Sequence, residues 1–136
     1  MADPVELLLQ GAIVTRLKAD SGVGALVSDR IYDRPPNGPT FPYVTVEVTQ
    51  VIDDENTCAV VKRPVFYFHC WSRKPGRVEV QRIAGAVETA IRSSALTATG
   101  HQVSLQYQES TRYMTEDDGL TTHAIVTFEF ETTPSA

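Results

Sequence analysis

Apolar residues recur every three or four positions in two stretches of the chain and every second position in four others, which predicts two helices and four strands. Val5, Leu8, Leu9, Ala12, Ile13 and Leu17 mark the first helical stripe. Asp3 reads as its cap, Pro4 as its first helical residue, and Glu6 completes a spacing like a capping box. Arg16 and Lys18 stand near its C-terminal end, where positive charge suits the helix dipole. Gly22 and Gly24 are expected to end this helix, with Val23, Ala25, Leu26 and Val27 forming a short apolar turn beneath it.

Arg30 to Asp33 reads as a short extended piece, and the Pro-rich run from Arg34 to Pro39 as a stiff connector that cannot be helical. From Tyr43 to Val51, Val44, Val46 and Val48 alternate with Tyr43, Thr45, Glu47 and Thr49, the period of a half-buried strand. Asp53, Asp54 and Glu55 would lose their hydration inside a buried strand, so the segment 52–62 is expected to be an exposed loop or hairpin arm. Val65 to Trp71 is an aromatic and β-branched run, with Phe66, Phe68 and Cys70 opposite Tyr67, His69 and Trp71. A basic turn, Arg73 to Arg77, then leads into the second helix, whose stripe is Val80, Ile83, Ala84, Val87, Ala90 and Ile91. Val103, Leu105 and Tyr107 mark the next strand, and Glu116 to Gly119 a tight turn favoured by Asp118-Gly119. Ala124, Val126, Phe128 and Phe130 mark the last strand, after which residues 132–136 are expected to fray.

Strands joined by hairpins, with helices between them, define an α+β fold: a mostly antiparallel four- to five-stranded sheet with two helices packed on one face. At 136 residues the chain is expected to form a single domain, long enough to bury roughly two thirds of its unfolded surface. Twelve basic against seventeen acidic residues give a net charge of −5, so the basic excess that drives binding to phosphate backbones is missing. The N-terminal stretch lacks the basic leader and continuous apolar run of a signal peptide. No apolar run approaches membrane-spanning length. The expectation is a soluble protein made inside the cell.

Catalytic chemistry finds little support. His69 and His123 fall on strands that can be neighbours, and with His101 they could form a three-histidine metal site, but no HxH or HExxH spacing supports one. Cys58 and Cys70 form no CxxC pair, Cys70 alternates away from His69, and no GxSxG elbow or phosphate-binding glycine loop is present. No catalytic, metal or cofactor-binding residue is assigned. The cations Arg73, Lys74, Arg77 and Arg82 could meet phosphate or, alternatively, acids on a neighbouring subunit. Tyr67 and Trp71 stand on an otherwise polar sheet face, as in many protein interfaces; the alternative is that they cover a loop of their own chain.

Arg30-Ile31-Tyr32-Asp33, the Pro-rich gap, Phe41-Pro42-Tyr43-Val44, the aromatic strand ending in Trp71-Ser72, the Gly76-Arg77 helix start and the Gly119-Leu120-Thr121-Thr122-His123 lead into the last strand occur in a characteristic order. In this order and spacing the chain resembles tail terminator proteins over about residues 5 to 130. These are the tail-completion or tail-to-head joining proteins of long-tailed bacteriophages and gene transfer agents. The resemblance implies a helix-on-sheet fold shared with tail tube proteins, no active site and a homo-hexameric ring. That ring would sit on the last ring of tail tube protein, stop tube growth and present a surface to the head connector or stopper protein.

With such a role the chain would be made in host cytoplasm and end at the head-tail junction of the particle, with DNA passing through the ring unbound. Tyr67, Trp71, Arg73, Lys74 and Arg77 are then candidates for contacts between subunits, and Asp53, Asp54 and Glu55 for an acidic lining of the lumen that repels DNA. Two other functions remain open: a neck or head-completion protein of the same particle, and a small enzyme or ligand-binding domain.

Overall fold

The computed structural model describes residues 3–55 and 60–135, with the side chains of residues 55 and 105–107 excepted. Its elements follow the order α1 (Val5–Ala19), α2 (Ser21–Val27), β1 (Ile31–Tyr32), β2 (Tyr43–Glu55), β3 (Val60–Ser72), α3 (Val78–Arg92), β4 (His101–Thr115) and β5 (Thr122–Pro134). They build one sheet of strand order β1-β2-β3-β5-β4, antiparallel throughout except for the short β1, which pairs parallel to Val44 and Thr45 of β2. The expected α+β architecture is therefore present, with three helices rather than two.

The alternation of β3 decides which face is buried. Phe66, Phe68 and Cys70 point to the helices together with Val44 and Val46 of β2 and Ala124, Val126, Phe128 and Phe130 of β5. Val80, Ile83, Val87 and Ile91 of α3 close over them without solvent exposure beyond 1%, a burial worth about 6 to 12 kcal/mol as an upper bound. Leu9, Ile13 and Leu17 of α1 complete this layer. Arg16 ties the two helices together: its guanidinium donates to the carbonyls of Ile91, Ser94 and Ala95 and to Ser94 Oγ, where α3 ends. Those carbonyls have no partner within the helix, so a cation there is doubly suited.

Three expectations are corrected and one alternative is selected. Gly22 and Gly24 do not end the helical region; after a break at Asp20 they lie inside α2, whose amide at Val23 is capped by the Asp20 carboxylate at 2.9 Å. Val23 and Val27, one turn apart, are buried in the core, and that burial outweighs the roughly 1 kcal/mol that an internal glycine costs. Asp3 does not cap α1; Pro4 occupies the N-cap, and no side chain bonds there. Of the two alternatives for segment 52–62, loop or hairpin arm, the described residues form the arm: β2 runs as far as Glu55, with Asp53 and Asp54 offset by Lys62 and Arg63 across the hairpin. Finally, β5 runs through Pro134 instead of fraying at Thr132, whose buried hydroxyl donates to the Lys62 carbonyl at 3.0 Å.

One row of the sheet, Val48–Phe66–Phe128–Gln108, has extra residues beside it in both outer strands. Thr49 in β2 and Glu109 in β4 have no register partner of their own, so each outer strand bulges at nearly the same height. Paired bulges increase the local twist of the sheet.

Candidate interaction surfaces

The face turned away from the helices carries Thr45 and Glu47 from β2, Tyr67, His69 and Trp71 from β3, and His123, Ile125 and Thr127 from β5. The strand register places Trp71 between Tyr43 and His123. The indole stacks on the His123 ring with centroids 3.7 Å apart and planes 13° from parallel, and more distantly on Tyr43 at 6.1 Å. Trp71 thus covers neighbours in its own chain. Tyr67, half-buried, is the open-face aromatic left nearer solvent along β3.

His69 and His123 meet as neighbouring strands allow. His69 Nδ1 lies 2.7 Å from His123 Nε2, His69 Nε2 lies 2.9 Å from Glu47 Oε1, and Glu116 Oε2 stands 3.8 Å from His123 Nδ1. Burial, followed by the proximity of His69, pushes the His123 imidazole down to about 4, so it is neutral at pH 7. No nucleophilic thiol joins this network. Cys70 points into the helix-side core, where burial pushes its thiol up to about 12; Cys58 lies outside the described residues. His101 pairs with Pro134 at the far end of the sheet, so the three histidines do not assemble. Among the described residues no group of three or more histidine, cysteine or acidic side chains is arranged so that it could hold a metal ion. The pattern of His69 and His123 on alternating strands hinted at their meeting, whereas the part played by Glu47 depends on strand pairing that no local pattern reveals.

The basic turn lies at the end of the sheet where β3 stops and β5 starts. Arg73 Nε donates to Thr121 Oγ1 at 3.2 Å, its guanidinium lies 4.2 Å over the Phe41 ring, and Nη2 is 4.0 Å from the Asp118 carboxylate. Asp118 in turn accepts from the amides of Leu120 and Thr121, both at 2.8 Å, and from Thr121 Oγ1 at 2.7 Å. These bonds, those from Thr121 foremost, hold the carboxyl at about 2. Gly119, at φ +70°, supplies the left-handed residue the turn requires. The turn presents Leu120 to solvent at 67% exposure. Arg77 donates to Thr115 Oγ1 at 3.2 Å. Arg73 and Arg77 therefore brace their own β4–β5 hairpin, while the Lys74 side chain has no partner among the described residues.

The opposite end carries the β2–β3 arm. Asp53 pairs with Lys62, and Asp54 with Arg63 at 2.8 Å, with Glu131 3.5 Å from the same guanidinium. All are solvated pairs, worth a fraction of a kcal/mol each. The side chain of Glu55 lies outside the described residues. Among the described residues, no helix is long and apolar enough to cross a membrane.

This architecture has relatives. A chain within the virion of a native gene transfer agent particle superposes with a TM-score of 0.88 at 20% identity, covering 97% of this chain and 99% of the other. The gp17 protein of bacteriophage SPP1 superposes at 0.62 with 22% identity, over 91% and 88% of the two chains. No curated protein matches by sequence. The model of the tail completion protein gp17 family matches residues 11–133, from the middle of α1 to the end of β5, and with that match across nearly the whole sheet and its helices the chain belongs to this family.

Proposed function

We propose that this tail completion protein acts as a tail terminator: six copies close into a ring on the last ring of the tail tube, end tube growth and form the joint to the head connector or stopper protein. The observation that carries this reading is the sheet itself. One face is sealed by helices, the other is open, and β4 and the part of β2 beyond the short β1 keep long edges that no strand among the described residues covers. Unlike edges on one subunit favour head-to-tail contacts, which close into rings when the rotation allows.

In such a ring Tyr67 and Lys74 are available to neighbours, together with Trp71 on the open face and Arg73 and Arg77 through the hairpin they brace. Asp53, Asp54 and Glu55 line the lumen, where negative charge lets DNA pass without being held. The protein would assemble in host cytoplasm and remain at the head-tail junction. A neck or head-completion role in the same particle is the second reading, and the exposed Leu120, held by the Asp118 turn, offers an apolar contact for a partner on either side.

Light scattering on the purified chain tests the ring. The expected mass is about 90 kDa, six times the 15.0 kDa chain. A strict monomer at millimolar concentration, with no binding to isolated tail tubes, contradicts it.

A further inference from the structure

The two open edges differ in a way that names their partner. β1 covers only Val44 and Thr45, after which the connector turns away at Asp33. A notch of about 820 Å3 lies here beside Val46, Glu47 and Val48, bordered by Gln10, Arg34 and Pro35 and continuing over the open face to His69, Trp71 and His123. The edge of β2 is therefore open from Val46 to Glu55. Among the described residues no strand pairs with the outer edge of β4 from Gln102 to Thr115, and no proline interrupts it. Exposed edges of this length are normally blunted, because their unpaired amides and carbonyls recruit other strands.

We infer that the notch-bordered edge of β2 in one copy receives the edge of β4 from the next copy, joining successive sheets antiparallel. This deepens the ring reading and rests on it. Direction supports the match: β2, β3, β5 and β4 alternate, so β2 and β4 run oppositely within one subunit. Rotation about an axis along the strands brings the β4 edge of one copy antiparallel to the β2 edge of the next. Height supports it as well. A rotation carries no rise, so the bulges at Thr49 and Glu109, level within a subunit, meet across the contact apart from the shift added by strand tilt.

Charge is the third argument. Arg34 at the notch and Glu109 and Arg112 on β4 are exposed and have no ion-pair partner among the described residues. Glu47, which already lies 2.9 Å from His69, and Arg112 are on the same open face, two rows apart in the register. Pairing of the two edges brings Arg112 towards Glu47 and Glu109 towards Arg34, so each cation meets an acid.

Proline at the bulged positions tests the contact, because Thr49 and Glu109 have no register partner within the subunit. Thr49→Pro blocks one edge and Glu109→Pro the other. At concentrations where the wild-type chain forms rings, each variant alone is expected at monomer mass. Their equimolar mixture should give dimers and no rings, since only one productive pair of edges remains. Rings formed by either variant alone overturn the edge contact but leave the hexamer standing, as do dimers formed by one variant alone. A wild-type chain that is monomeric throughout removes both. Circular dichroism checks that the variants fold. If one does not, hydrogen exchange of the wild-type chain decides: amides of residues 46–55 and 101–115 must slow as the mass rises, and unchanged exchange overturns the contact.

Discussion

His69 Nδ1 and His123 Nε2 lie 2.7 Å apart on the open face of the sheet, a separation at which one nitrogen must donate and the other accept. Both rings cannot be charged without breaking that bond. The charged groups facing the pair are Glu47 from β2 and Glu116 from the end of β4. His123 titrates near 4 in the folded protein, below its ordinary value of 6.5. Its unfolded form therefore takes up a proton first as pH falls. The stability it contributes is intact above about pH 6.5 and is lost progressively towards pH 4. The loss is expected to be of order 1 to 3 kcal/mol. Urea denaturation between pH 7 and 4 measures it, and His123→Asn should flatten that part of the profile.

Arg16 joins the end of α1 to the end of α3 through four hydrogen bonds. Arg16→Ala should lower stability by about 1 to 3 kcal/mol, since carbonyls at a helix end lose a charged partner. Arg16→Lys, with a point charge instead of a planar fork, should recover only part of this. The midpoint of chemical denaturation reads both.

The Asp118 turn makes a prediction about order rather than global stability. Asp118→Ala removes all three bonds that shape Leu120 and Thr121. Amide exchange at these two residues should accelerate by an order of magnitude or more while the core amides of β3 stay protected. Because the Asp118 carboxyl is depressed to about 2, the turn should keep its form above about pH 4 and loosen only as pH falls towards 2. Nuclear magnetic resonance of the two amides follows this directly.

The acidic arm tests the lining of the ring. Replacing Asp53, Asp54 and Glu55 together with lysine reverses the local charge and removes the Asp53–Lys62 and Asp54–Arg63 pairs. Particles carrying this variant should assemble but transfer DNA more slowly or retain it. Transfer at the wild-type rate would place the arm away from the DNA path.

The strands and their buried faces were legible because period-two alternation is strict where apolar residues are large: Phe66, Phe68 and Cys70 against Tyr67, His69 and Trp71 leave one register that buries the core. α2 was hidden by its composition, as seven residues with two glycines carry no propensity signal, and tertiary burial of Val23 and Val27 forms the helix. The continuation of β2 to Glu55 was hidden for a similar reason: charge pairing with Lys62 and Arg63 is a property of the hairpin, and neither strand shows it alone. At the surfaces, the positions of Trp71 and Arg73 followed from spacing. Their attachment to His123, Thr121 and Phe41 arises from residues about 30 to 50 positions distant in the chain.

Electron microscopy of particles assembled without this chain tests the central claim most directly. A protein that ends tube growth leaves, when absent, tails that run past their normal length and do not join heads. Overlong, unattached tails are the predicted result. Tails of normal length in its absence would contradict termination as its function.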